Sequence, residues 1–150
     1  MNLRKQILKS FPKNPRPKHS LSDAITADDW GDPKNTFTEK WNDWTEIEDW
    51  QVNDCPYVFY YLEFKDKLYY LPRFMVFMID DMNGDVSKEL DADISIPVFN
   101  WVVGNWMKIK EEIGIAKMKL LKEFLILCKN HIYFQDSLEA TGIDPELYQL

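Results

Sequence analysis

The sequence predicts an all-α fold, a compact orthogonal helical domain arranged around one buried helix over 72–82. Three observations carry this expectation. Phe74-Met75-Val76-Phe77-Met78-Ile79 is an apolar run without a polar face, the pattern of a helix surrounded by protein on all sides. Pro72 stands just ahead of it, and proline suits the first turn of a helix, where the backbone donor it lacks has no partner to lose. Finally, Ile115, Met118, Leu121, Phe124, Leu125 and Cys128 share one side of a helix over 115–129, while Lys117, Lys119, Lys122 and Glu123 fall largely on the other.

From the N-terminus, Leu3, Ile7, Leu8 and Phe11 recur at helical spacing and predict a short amphipathic helix with a basic outer face. Pro12, Pro15 and Pro17 then forbid regular helix, so 12–18 reads as an extended connector laid over the domain and as its best candidate for a mobile segment. Between Ser20 and Trp50 the cap-like residues predict short helices joined by turns, one of them capped by Thr36 or Thr38 and carrying Phe37 and Trp41. Residues 57–71 are ambiguous. The run Tyr57-Val58-Phe59-Tyr60-Tyr61 has high β propensity, and a hairpin turning at Lys65-Asp66-Lys67 makes the fold α+β. That turn lacks the glycine of a tight hairpin, so helix is preferred, with Leu62, Tyr69 and Leu71 inward and Lys65, Asp66 and Lys67 in water. Asn83-Gly84-Asp85 ends the buried helix, and an acidic irregular passage runs to Pro97. Phe99, Val102, Val103 and Trp106 form another stripe, in which Gly104 offers a place for close helix approach. Gln135-Asp136-Ser137 starts a last helix, Gly142 breaks it and Pro145 opens a final turn.

A chain of 150 residues is the usual size of one domain, and 1–150 is read as such. The net charge of -7 argues against nucleic acid as a ligand, since affinity for phosphate rests on clustered Lys and Arg. Residues 1–19 carry Arg4, Lys5, Lys9, Lys13, Arg16 and Lys18 with no acid, whereas 21–54 carries ten acids against Lys34 and Lys40. No apolar run approaches the roughly 20 residues needed to span a bilayer, and Met1–Ser20 lacks the apolar stretch of a signal peptide. A cytoplasmic location is expected, and no membrane partner. Cys55 and Cys128, each among apolar or aromatic neighbours, read as reduced core thiols rather than a disulfide.

From Tyr61-Leu62 to Met75 the chain resembles a family of small bacterial proteins that forms a domain of unknown function. Its common feature is a Phe-Leu segment, then Tyr-Tyr-Leu-Pro and an aromatic-Met helix, here Tyr69-Tyr70-Leu71-Pro72 and Phe74-Met75. Trp44 with Ile47 corresponds to the tryptophan segment ahead of the core, and Phe124-Leu125 to the pair ending the last helix. The resemblance spans most of 3–129, with Phe64 standing where the family usually has the proline of a helix start. It implies an α-rich fold and carries over no catalytic residue.

No catalytic, cofactor or metal set is legible. Cys128 and His131 share a helix face, but zinc needs about four ligands, and His19 and Cys55 stand alone in sequence. Asp80-Asp81 suits acid–base work only if burial lifts a carboxyl pKa. The five glycines are dispersed and build no phosphate loop. The distinctive pattern is aromatic residues interleaved with acids: Asp28, Asp29, Trp30, Asp32, Asp43, Trp44, Glu46, Glu48 and Asp49. Tryptophan among carboxylates reads either as core beside a solvated face or as a protein-docking patch, with Trp30 or Trp44 the exposed anchor. The leading expectation is a small acidic module that binds a basic protein, as an immunity protein binds a toxin. The alternatives are a ligand-binding or enzymatic domain with a pocket near Tyr69, Tyr70 and Trp106, and a structural subunit whose basic helix 2–11 packs on a neighbour.

Overall fold

The computed structural model describes all residues 1–150 and contains eight α-helices and no strand, so the all-α expectation holds and the hairpin at 57–71 does not form. The helices are α1 (Leu3–Ser10), α2 (Leu21–Asp28), α3 (Asp49–Asn53), α4 (Val58–Tyr61), α5 (Phe64–Met82), α6 (Ser95–Gly104), α7 (Trp106–Lys129) and α8 (Gln135–Glu139). Short 3-10 turns lie at Pro33–Asn35, Trp44–Glu46 and Pro145–Leu147.

The axis of the fold is α5, which touches α1, α3, α4, α6 and the Trp44–Glu46 turn. Every residue from Tyr70 to Ile79 is buried, as the apolar run requires. The helix starts earlier than Pro72, however, and Pro72 lies inside it. Its start is fixed by a capping box between Glu63 and Asp66, which satisfies backbone donors that the first turn leaves unpaired. Pro72 then gives the Leu68 carbonyl no partner, a local cost of about 3 kcal/mol that burial of the surrounding run outweighs. Asp66, expected in water, is only 2 % exposed.

Around this axis the other helices follow their apolar faces. Ile7 and Phe11 of the N-terminal helix are buried, and α1 packs on both α5 and α7, with the Arg4 guanidinium 2.7 Å from Asp80. Thus Arg4 of the basic helix pairs with the chain's own acid. Ser20 and Asp23 make a full capping box on α2. No helix forms over 36–43, because neither Thr36 nor Thr38 caps one; Asp43 instead caps the Trp44–Glu46 turn. The predicted stripe 99–107 is interrupted at Asn105. Gly104 lies at the exposed end of α6 with open space around it, so it mediates no close helix approach.

In α7, Gly114 has φ 81°, a left-handed conformation that favours glycine, and it divides the helix just before the predicted 115–129 segment. Met118, Leu121, Phe124, Leu125 and Cys128 are buried as expected, whereas Ile115, next to that break, is 54 % exposed. The tail folds as its start, breaker and proline signals imply: Tyr148 stacks on Trp106 with ring centroids 4.0 Å apart, and Lys129 pairs with Asp144 and Glu146.

Cys55 and Cys128 are free and buried. Burial pushes both thiols up, with Glu39 and Asp54 adding to the effect at Cys55, and burial likewise pushes up the Tyr70 phenol. A group whose folded pKa lies above its unfolded value stabilises the fold fully below the unfolded pKa and loses that contribution as pH rises. The denaturant midpoint is therefore expected to fall as pH rises through about 8.5, where thiols of the unfolded chain ionise first. Ellman's reagent should leave both thiols untouched until the chain unfolds. A midpoint flat from there to strongly alkaline pH, or rapid labelling of the native protein, would contradict this.

Candidate functional site

Helix α2 ends in a Schellman-type cap in which the Gly31 amide donates to the Thr26 carbonyl at 2.8 Å. The residue placed in the left-handed position of that cap is Trp30, with φ 59°. It is 99 % exposed. Glycine or asparagine is favoured there, and a large L-residue costs roughly 1 kcal/mol or more. Neither the conformation nor the exposure of this indole is offset by packing in the monomer.

Beside this turn lies a groove of about 450 Å³ between the end of α2, the end of α3, the start of α4 and loop residues 91–92. Asp28, Asp29, Asp54 and Asp91 line it together with Asn35 and Tyr57, and no lysine or arginine does. Asn35 donates to Asp29 at 2.9 Å, and the Asn53 side chain accepts from the Ala92 amide at 3.0 Å, which fixes two walls. Tyr60 and Tyr61 on α4 are more than half and half exposed. The Tyr61 phenol is pushed up chiefly by its contact with Asp28, and the Tyr57 phenol by burial and then by Asp28 and Asp29. The face is thus acidic enough to disfavour further negative charge.

The sequence-selected residues divide. Asp28, Asp29, Trp30 and Asp32 sit together at the α2 end, Asp32 capping the following 3-10 turn. Asp43, Trp44, Glu46, Glu48 and Asp49 do not line the groove. Of the two tryptophans offered as the exposed anchor, Trp30 is open and Trp44 is fully buried, its indole N–H donating to the Pro12 carbonyl at 3.0 Å. Trp50, 41 % exposed and edge-on to Phe37, takes the partly open position instead. The acids here serve the local fold. Asp43 accepts from the Thr45 amide, Glu46 from the Asn42 amide, Glu48 from the Trp50 indole, and Asp49 pairs with Arg73 at 2.7 Å. The sequence reading missed Asp54, Asp91 and the α4 tyrosines, whose approach to α2 is set by tertiary packing.

A second concavity, about 510 Å³, lies under the proline connector against α5 and α7, where Tyr69, Pro72 and Asp66 line it with Arg16, Lys18 and Glu112. The expected pocket does not extend to its other residues: Tyr70 is fully buried, and Tyr148 covers Trp106. The connector is held rather than loose. Besides the Trp44 bond, Tyr69 donates to the Lys13 carbonyl at 3.1 Å, Tyr70 to the His19 carbonyl at 2.8 Å, and the Arg16 guanidinium lies 4.1 Å from the Trp41 ring centre. His19, alone in sequence, meets Asp66 with Nδ1 2.7 Å from Oδ2. Of the pairs weighed from sequence, His131 packs on Tyr133 and Phe134, and Asp80 is tied to Arg4. Burial raises the Asp81 carboxyl, with His131 opposing it.

The chain belongs to the family of unknown function DUF6714, whose match covers residues 1–96. That region holds α1 to α5, and with them the connector, the Trp30 turn and Tyr69-Tyr70-Leu71-Pro72; Phe124-Leu125 lies beyond it. No curated protein and no solved structure gives a significant match. No helix is long and apolar enough to cross a membrane.

Proposed function

We propose that this is a small cytoplasmic protein-binding module that docks a basic partner through the Trp30 face, in the manner of an immunity protein neutralising a cationic toxin. The observation that carries the reading is Trp30 itself. A large side chain held in a left-handed cap position with no packing to offset it is backbone strain of the kind that clusters at ligand clamps and switch regions, and here it presents an open indole to a partner. The carboxylates around it supply charge complementarity, which speeds encounter, while the aromatic side chains bury on contact and slow release.

Trp30→Gly provides a sharp test because fold and docking respond in opposite directions. Relief of the left-handed strain should stabilise the fold by about 1 kcal/mol, read by denaturant melting. Loss of the aromatic anchor should weaken docking by about 2 kcal/mol or more. Tagged wild-type and Trp30→Gly protein, each recovered from native cells at low and high salt, should differ in one stoichiometric basic protein. It should be present with the wild type at low salt and reduced by salt, by Trp30→Gly and by the double change Asp28→Asn, Asp29→Asn. Identical recovery with all variants would overturn the reading. A ligand-binding function is the second reading, supported by the cleft beside Tyr69.

A further inference from the structure

We propose that His19, Glu63 and Asp66 form a binding site for a divalent transition cation of the zinc class at the head of α5. One candidate ligand atom from each residue lies within 4.8 Å of the other two. The His19 Nδ1 to Asp66 Oδ2 separation of 2.7 Å is slightly less than the spacing of two ligands on one zinc ion, roughly 3 to 3.5 Å for bonds near 2.1 Å. A small opening lets the cation take the place of the proton between them. In a neutral imidazole that proton moves to Nε2; in an imidazolium it leaves to solvent.

The surroundings that orient such ligands are already formed. Asp66 is nearly fully buried, its Oδ1 accepts from the His19 amide at 3.2 Å and its Oδ2 from the Glu63 amide at 3.1 Å. Those two backbone bonds survive replacement of the side-chain proton and hold the carboxylate in place. The Tyr70 hydroxyl fixes the His19 backbone from the other side. Glu63 has only Lys18 as a charged partner, at 3.6 Å and largely in solvent, a pair worth little. Its carboxylate also accepts from the Asp66 amide in the helix cap, which leaves one oxygen to turn onto the ion. Glu63 and Asp66 also line the 510 Å³ cleft under the connector, which leaves the ion a position open to water or to a small ligand. One imidazole nitrogen and two carboxylate oxygens suit Zn²⁺, Co²⁺ or Mn²⁺ better than Mg²⁺ or Ca²⁺. The site is separate from the Trp30 face, and either assignment can fail without the other.

The test is titration of the full-length protein with Zn²⁺ and with Co²⁺, read by calorimetry and by the visible absorption of bound Co²⁺. One equivalent should bind and raise the melting temperature. Glu63→Gln keeps an oxygen acceptor for the helix cap, and its affinity should fall tenfold or more with the apo melting temperature unchanged; His19→Ala should abolish the Co²⁺ spectrum. No uptake by the wild type, or uptake that Glu63→Gln leaves unaltered, overturns the proposal.

Discussion

Trp44→Ala is expected to lower the unfolding free energy by about 3–5 kcal/mol, against typical domain stabilities of about 5–15 kcal/mol. The indole is fully buried, so its truncation leaves a cavity that the surrounding short turns can fill only in part. Its N–H also serves the Pro12 carbonyl, and its backbone amide donates to the Tyr69 hydroxyl, which in turn donates to Lys13. One substitution therefore loosens both the core and the connector. Urea or guanidinium melting measures the loss directly, and a loss under 1 kcal/mol would mean that the site collapses without cavity or that the indole is not buried. Trp30→Gly is expected to move the same midpoint the other way. The two tryptophans thus separate, in a single assay, the core role from the surface role that sequence assigned to both.

Arg73→Ala should cost about 2–4 kcal/mol, and Arg73→Met less than half of that. Arg73 is 7 % exposed in the middle of α5, where its Nε donates to the Ile47 carbonyl at 2.8 Å and an Nη2 to Asp49 at 2.7 Å. Alanine removes the stem as well as the charge and leaves the carbonyl of buried Ile47 without its donor. Asp49 remains about one third exposed, and water softens the loss on that side. Methionine restores most of the apolar volume and also removes Nη1, which is buried with no partner, so one existing penalty disappears with the cation. Equal losses for Ala and Met would show that the guanidinium's bonds to Ile47 and Asp49, rather than packing of its stem, hold this junction.

Strong periodicity was legible in this sequence and reciprocal tertiary contacts were not. The stripe over 115–129 and the start, breaker and proline signals of the tail describe the last third well, since each depends on neighbours within a few residues. Pro72 misled because its preference for a first turn is local, whereas its place is decided by burial of the whole run from Tyr70 to Ile79. The pattern Glu63-x-x-Asp66 ahead of an apolar segment was the signal that could have set the start correctly. The His19–Asp66 contact joins residues 47 apart, a distance at which sequence alone offers no pairing rule. Trp30 and Trp44 have similarly acidic neighbours, and what separates them is the backbone: one lies at the left-handed end of a helix, the other in a turn closed over by the connector and α5. Tyr69-Tyr70, the specific part of the family resemblance, acquires a physical role only in the fold, as two hydroxyls that fasten that connector.

The double seat of α1 bears on the order in which the protein is made. Arg4 and its partner Asp80 are 76 positions apart, and the other seat, α7, is not complete until Lys129. Synthesis is vectorial, so Ile7 and Phe11 leave the ribosome long before any surface exists to cover them. The prolines that follow, Pro12, Pro15 and Pro17, disfavour extension of this segment into a longer helix. Its native seat therefore exists only once both α5 and α7 have been made, and α1 closes the two halves of the chain as a clasp closes a band.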